Sequence, residues 1–303
     1  MKNKKFLLWT AAILSILLVS SQLPRVISDE EYHAALTDHN KVFSIVVPKK
    51  MDFAGENVPL SRFYVEEALD YELTVNTYWH SSSILLIKRA NRWFPIIEPI
   101  LKKNGIPDDF KYLAVAESGL KNVTSPAGAK GFWQIMKATA REYGLEVNSG
   151  IDERFHVEKS TEVACQYLLK AYEKYGNWTL AAASYNAGMN KISKETQRQS
   201  EDSYYDMNFG EETGRYLYRI LAIKQILENP TDYGFHIRKE DLYQAFTTYE
   251  VDIDSTIPDL SVFASKYGMN YKELKIYNPW MLQSHLPDES RKLYKIKVPV
   301  QKK

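Results

Sequence analysis

Four glycines constrain this chain more than any other feature. Gly119, Gly144, Gly176 and Gly188 each stand just past a stretch patterned for helix. A helix commonly ends on a left-handed residue, and glycine adopts that conformation at least cost. A chain punctuated this often reads as mainly α. The helical pattern runs from about residue 61 to residue 227, is broken by a glycine-rich stretch at 125–131, and closes at Asn229-Pro230. Pro107 with Asp108 and Asp109 opens one helix, since proline suits the first turn and carboxylates the positive end. Further helices are expected over 137–143, 160–175, 178–187 and 211–227.

After Tyr233-Gly234 the pattern changes. Phe246–Val251 reads as a strand. Leu260, Phe263, Ala264 and Tyr267 recur at helical spacing, and 270–277 gives a second short helix. Tyr294, Ile296 and Val298 alternate with Lys295 and Lys297, the mark of a half-buried strand. The tail is therefore a small α+β unit in the order β-α-α-β. With 303 residues, about two domains are expected. They are placed at 61–242 and 243–303, behind a lead-in at 22–60 that carries Pro24, Pro48 and Pro59.

Residues 1–21 read as an export segment. Lys2, Lys4 and Lys5 precede an apolar run at 6–19, followed by Ser20-Ser21-Gln22. The run is shorter than the roughly 20 residues of a spanning helix. Two readings stay open: a cleaved signal peptide, or an anchor that holds the chain to the membrane through residues 6–19. With no cysteine near residue 20, lipoprotein attachment is excluded. The chain is expected to work in the periplasm or cell envelope.

Composition removes other classes. Lys+Arg 39 against Asp+Glu 38 gives a formal charge of +1, which excludes a broad basic surface for nucleic acid. Cys165 is the single cysteine, so neither an intrachain disulfide nor a multi-cysteine metal site can form. Its helical setting marks it as a small core residue. The histidines are scattered, and no zincin, P-loop, dinucleotide-binding or serine-hydrolase motif is present. No metal and no cofactor is expected. The 21 tyrosines suit sugar faces, although most are expected at packed helix seams.

Chemistry concentrates around Glu117. Phe110, Leu113 and Ala114 trace the apolar face of the helix opened by Pro107, and that face reaches Glu117 in the last turn. Burial and the negative helix end both favour the protonated acid. Periodicity alone leaves this reading even with a surface glutamate at a frayed end. The segment Ser125-Pro126-Ala127-Gly128-Ala129-Lys130-Gly131-Phe132-Trp133-Gln134-Ile135-Met136 joins turn residues to aromatics and an amide. Its glycines let backbone approach a ligand, and Gln134 can both donate and accept; a packed turn between helices explains it as well. Tyr185-Asn186-Ala187-Gly188 ends an alanine-dense helix, where Asn186 is expected to cap the last carbonyls.

Taken together these motifs resemble a known family. Glu117-Ser118, Gly131 to Met136, Ser184-Tyr185-Asn186-Ala187-Gly188, and Glu212-Thr213 with Tyr216 look like the lytic transglycosylases with a soluble-transglycosylase, goose-type-lysozyme-like domain. Asp152-Glu153-Arg154 and the stretch from Asn229-Pro230 to Tyr233-Gly234-Phe235 bring the chain nearer to a membrane-bound branch of that family. The resemblance covers about residues 90–235, with Ser184 where alanine is more usual. Residues 248–300 resemble a LysM peptidoglycan-binding module, with Asn278-Pro279 at the matching place and a departure from its usual Gly-Asp-Thr at Asp252–Thr256.

The resemblance implies a goose-type lysozyme-like helical catalytic domain followed by the LysM-like unit, acting on peptidoglycan glycan strands. It implies that Glu117 protonates the oxygen between N-acetylmuramic acid and N-acetylglucosamine and then takes the proton of the muramic C6 hydroxyl, giving 1,6-anhydro ends without water. Ser118, Ser125, Gln134, Met136, Tyr185 and Asn186 match substrate-contacting positions, and Tyr216 matches a hydroxyl that orients the acid. No second acid lies beside Glu117 within its motif, whereas two-carboxylate glycosidases need a partner several Å away. Asp152 and Glu212 are the residues that folding can bring there. The alternatives are a water-using muramidase of the same fold and a non-catalytic wall-binding scaffold.

Overall fold

A computed structural model of the chain describes residues 28–31, 42–287 and 292–300. Residues 1–21, read from the sequence as an export segment, lie outside the described residues. Two compact units are present, residues 1–44 and 45–303. In the first, Ser28 and Glu31 cap one helical turn reciprocally, each backbone N–H donating to the other's side chain at 3.2 Å. Everything below concerns the second. Among the described residues no helix is long and apolar enough to cross a membrane.

The second unit opens with a hairpin, β1 (Asp52–Phe53) and β2 (Glu56–Asn57), paired antiparallel. Ala54 and Gly55 both have positive φ, as a two-residue hairpin turn requires. The stretch was expected to be a lead-in, yet it is stitched into the helical body. Phe53 is wholly buried and packs edge-on against Phe110 at 5.2 Å. Glu56 accepts from the Trp178 and Thr179 N–H groups at 2.5 and 3.1 Å, so it serves as an external cap for a later helix.

The helical body follows: α1 (Phe63–Tyr78), α2 (His80–Lys103), α3 (Phe110–Ser118), α4 (Lys137–Glu142), α5 (Val157–Tyr175), α6 (Trp178–Ala187), α7 (Met189–Gln199) and α8 (Glu211–Glu228). The helix α8 buries the most residues; it lies against α1, α3 and α6 and sinks Leu217, Ile220 and Leu221 into the core. Gly119 and Gly176 end α3 and α5 in the left-handed conformation. Asp109 precedes α3 without capping its amides; it accepts from Lys224 Nζ at 2.8 Å and from the Ala54 N–H at 2.6 Å. At α5 the helix starts three residues before the expected Ser160. The Ser160 and Thr161 hydroxyls bond back to the Val157 carbonyl, at 3.1 and 2.7 Å, instead of capping an end. Cys165 is buried, and burial pushes its thiol up to about 12.

The tail has the expected order: β3 (Thr248–Ile253), α9 (Leu260–Lys266), α10 (Tyr271–Tyr277) and β4 (Tyr294–Pro299). The strands pair antiparallel with Val251 opposite Ile296. Tyr294, Ile296 and Val298 are buried and Lys295 is exposed, as the alternation predicts. Asp259 caps α9, and Asn270 with Glu273 forms a capping box on α10. β3 starts two residues later than expected because Phe246 is taken by other contacts. Its ring lies 5.8 Å from Trp93 and 5.1 Å from Tyr277, with the Arg92 guanidinium 4.4 Å away.

The tail's core is not its own alone. Ile151, from the loop between α4 and α5, is buried among Leu260, Trp280 and Ile296. The Asp152 N–H donates to the Trp280 carbonyl at 2.9 Å, and His156 stacks on Trp280 at 6.1 Å.

Candidate active site

Glu117 occupies the last turn of α3 with Gly119 at the helix end, and its carboxyl is partly buried. The hydroxyl of Tyr216, from the buried face of α8, donates to its Oε1 at 2.5 Å. This contact spans 99 residues of sequence. Burial is the main influence on Glu117 and raises it to about 7; the Glu212 charge adds to this, while the Tyr216 hydrogen bond and the Arg219 charge oppose it. The acid is thus about half protonated near neutrality, the state a general acid needs. Burial and the nearby Glu117 hold both Tyr216 and Tyr185 well above the usual phenol range, so both stay neutral donors.

α8 is fixed in rotation by an ion pair that sequence reading missed. Glu72, on α1, is almost wholly buried; its carboxylate accepts from Arg215 Nε at 2.7 Å and lies 3.8 Å from Arg219 Nε. Arg215 and Arg219 flank Tyr216, so the pair sets the face that α8 turns towards α3. The i, i+4 spacing of the two arginines was a visible sign, but nothing in the sequence pointed to Glu72.

Tyr185 lies in the last turn of α6 and donates to the Trp133 carbonyl at 2.8 Å. Trp133 is wholly buried, with its Nε1–H on Thr161 Oγ1 at 2.8 Å. Asn186 does not cap its helix as expected. Its amide donates to Glu212 Oε1 at 3.2 Å, and its carbonyl accepts from Thr213 Oγ1 at 3.0 Å. Of the two acids that folding could bring to Glu117, Glu212 arrives and Asp152 does not. Burial alone would raise Asp152, but Arg154 and Lys130 outweigh it and hold the carboxyl below its usual range.

The segment 125–136 is shaped by its own backbone. Gly131 has φ +80°, and a Cβ there would sit 2.0 Å from the Arg154 carbonyl oxygen. The close approach that glycine permits is thus to the chain itself. Arg154 is buried and binds Asp152 through Nε and Nη2, while its Nη1 donates to the Gly128 and Ile135 carbonyls at 3.0 and 3.2 Å. The amide nitrogen of Gln134 is committed to the Val123 and Gly131 carbonyls, leaving its carbonyl oxygen for a ligand. Ser118 is buried and hydrogen-bonds the Phe132 carbonyl at 2.9 Å, and Ser125 accepts from the Ala129 N–H at 3.0 Å. Both hydroxyls serve the turn. Met136 is 46% exposed. Tyr216 bonds Glu117 directly, Tyr185 and the Asn186-bound Glu212 lie near enough to interact with it through charge, and Ser118, Ser125 and Gln134 brace the segment 125–136.

Comparison with known proteins gives this geometry a family setting. Residues 94–208 match the transglycosylase SLT domain, and residues 249–302 match the soluble lytic transglycosylase C-terminal LysM-like domain. Glu117, Gln134, Met136, Tyr185 and Asn186 fall within the first match, while Tyr216 lies beyond it. The chain is 27% identical over 220 residues to membrane-bound lytic murein transglycosylase D of Escherichia coli (strain K12), a match covering 71% of the chain and 47% of that protein. The same figures hold for its counterpart in E. coli O6:H1. The chain therefore spans about half the length of the curated relatives it matches. The crystal structure of the 70 kDa soluble lytic transglycosylase SLT70 from E. coli aligns at 21% identity with a TM-score of 0.40, covering 50% of this chain and 26% of that one. The chain carries a transglycosylase SLT domain followed by a LysM-like domain and is homologous to the lytic murein transglycosylases.

Proposed function

We propose that the protein is an exported lytic transglycosylase that cuts the β-1,4 bond between N-acetylmuramic acid and N-acetylglucosamine in peptidoglycan, as part of cell-wall remodelling. The observation that carries this is the buried Glu117–Tyr216 pair, an acid raised to about 7 and held by a neutral phenol. Glu117 gives its proton to the bridging oxygen as the C1–O bond breaks. The resulting carboxylate then takes the proton of the muramic C6 hydroxyl as that oxygen bonds to C1, which restores the acid. One group serves both steps and no water is consumed. Tyr216 holds the carboxyl in place through both, and Tyr185, Asn186 and Met136 line the cleft.

One observation favours a second reading, a water-using muramidase. Glu212 stands close enough to raise Glu117, and a second carboxylate can activate water. Its engagement by Asn186 argues for a supporting role. Mass analysis of digested sacculi separates the two: 1,6-anhydro ends are expected, and reducing ends would overturn the lyase. For the scaffold alternative the test is Glu117→Gln, which should abolish lysis while leaving sacculus binding intact.

The LysM-like tail is proposed to assist wall binding, and its removal should weaken sacculus pull-down. Because Ile151 shares its core, a deletion of 243–303 also uncovers the catalytic domain. Substitutions on the tail's exposed face are therefore the sounder test.

A further inference from the structure

The loop between α4 and α5 faces two ways. Its residues 150–152 join the tail almost as a further strand. Ile151 pairs antiparallel with Met281, the Asp152 N–H donates to the Trp280 carbonyl at 2.9 Å, and the Leu282 N–H donates to the Gly150 carbonyl at 2.8 Å. The Ile151 side chain is wholly buried in the tail's core. The same loop then supplies Arg154, which grips the segment 125–136 at the Gly128 and Ile135 carbonyls. Asp152 belongs to both sides. Its backbone is held by the tail, and its carboxylate fixes the Arg154 guanidinium through Nε and Nη2.

Side chains fasten this joint on both flanks. Glu146 accepts from Lys292 Nζ at 3.0 Å and from the Tyr294 hydroxyl at 3.1 Å. Glu158, in the first turn of α5, pairs with Lys297 of β4. The rings of His156, Trp280 and Tyr294 stack in that order, 6.1 and 5.7 Å apart. The chain leading into the tail is tied as well, with Asn91 and Arg92 of α2 donating to the Tyr243 and Gln244 carbonyls. A tail that only tethers an enzyme to its substrate needs none of these bonds.

The segment at the far end of this path has reason to need bracing. Gln134 sits at φ +46°, a conformation costly for a residue with a Cβ. Such a conformation persists where its surroundings impose it. Gln134 is also the residue whose carbonyl oxygen is left for a ligand.

We propose that the tail is a positioning element for catalysis: by holding Ile151 and the Asp152 backbone it sets Arg154, and through Arg154 the turn that presents Gln134 to the substrate. This rests on the proposed transglycosylase activity and gives the tail a part in turnover, apart from any grip on the wall.

The test separates these two parts in the full chain, with soluble glycan strands as substrate. A tail that only binds strands acts on KM, whereas one that sets the turn acts on kcat. Ile151→Ala withdraws the anchor from the tail's core, and kcat should fall about tenfold with KM changed less than about twofold. Lys297→Glu sets two carboxylates against each other and should act in the same direction; adding Glu158→Lys should recover most of the loss. Hydrogen exchange should show faster opening of the Lys130, Gly131 and Ile135 N–H groups, which bond within or beside the segment, while α8 keeps its protection. Unchanged kcat in both variants, or unchanged exchange in the segment, would overturn the inference while the activity stands. Loosening that extends equally to α8, or a swapped pair that rescues nothing, would overturn it too. A wild type that cuts no strand would overturn the proposed function, and the exchange comparison would still decide whether the tail sets the turn.

Discussion

Glu117 and Tyr216 meet where α3 packs on α8, while the neighbouring segment 125–136 has no helix and is held by side-chain bonds to its backbone, with the buried Arg154 guanidinium at their centre. In the first region apolar burial places the chemistry, and the acid is a cost carried by a well-packed core. In the second, Phe132, Trp133 and Ile135 enter the same core, but the backbone between them is held by buried polar groups rather than by a helix. Packing tolerates one altered polar atom, but a buried polar network left half-paired is costly. The two regions should therefore respond oppositely to substitution.

The largest expected effect is on chemistry in the packed region. Glu117→Gln should lower turnover by about a thousandfold, or about 4 kcal/mol of barrier, measured as release of soluble muropeptides. The fold should survive and become more stable at high pH. Between 4.5 and about 7 the native carboxyl holds its proton while the unfolded one releases it, so wild-type stability falls as pH rises through that window. At pH 8 the glutamine variant escapes this loss, worth at most about 3 kcal/mol, whereas at pH 4 the two should nearly coincide. Urea titrations at both pH values check this, and a variant less stable at pH 8 would break the contrast.

In the polar region the loss should be structural. Gly131→Ala drives a methyl into the Arg154 carbonyl at a positive φ and should cost about 3 kcal/mol or more. Arg154→Met leaves Asp152 buried without its main partner and should cost a similar amount, about 3 kcal/mol. Thermal melts of both variants measure this. If either melts like the wild type, the segment is braced by something other than Arg154.

Smaller effects sharpen the acid's setting. Tyr216→Phe should reduce kcat about tenfold through loss of positioning. The alkaline limb of its pH profile should move up, because the hydrogen bond that favours the carboxylate is gone. Glu212→Gln should move the same limb down with little change in kcat, since a nearby negative charge is removed. Opposite displacements in the two profiles are the check.

Much of the fold was legible because its signals are local. Gly119 and Gly176 stop helices through their own φ, and the alternation at 294–298 needs only its own residues. Boundaries slipped where a residue was claimed from outside its element, as with Phe246 at β3. The site was legible in part. Glu117 stood out by its place on an apolar helix face, and Asn186 by its motif, but the capping role expected of Asn186 ignored Glu212 and Thr213, more than 25 residues away. Glu72, Arg154 and the 52–57 hairpin carry no local signature of what they hold. Their partners are chosen by the packed chain, and the sequence around each is compatible with ordinary surface positions.

Cys165 carries one more consequence. Its sulfur lies wholly inside the core, and a thiol that ionises only near pH 12 presents no thiolate to peroxide or to another chain at ordinary pH. Assembly of this fold calls on no thiol oxidase, and a reductant has nothing in it to break. The chain can mature in a reducing or an oxidising compartment and arrive at the same structure.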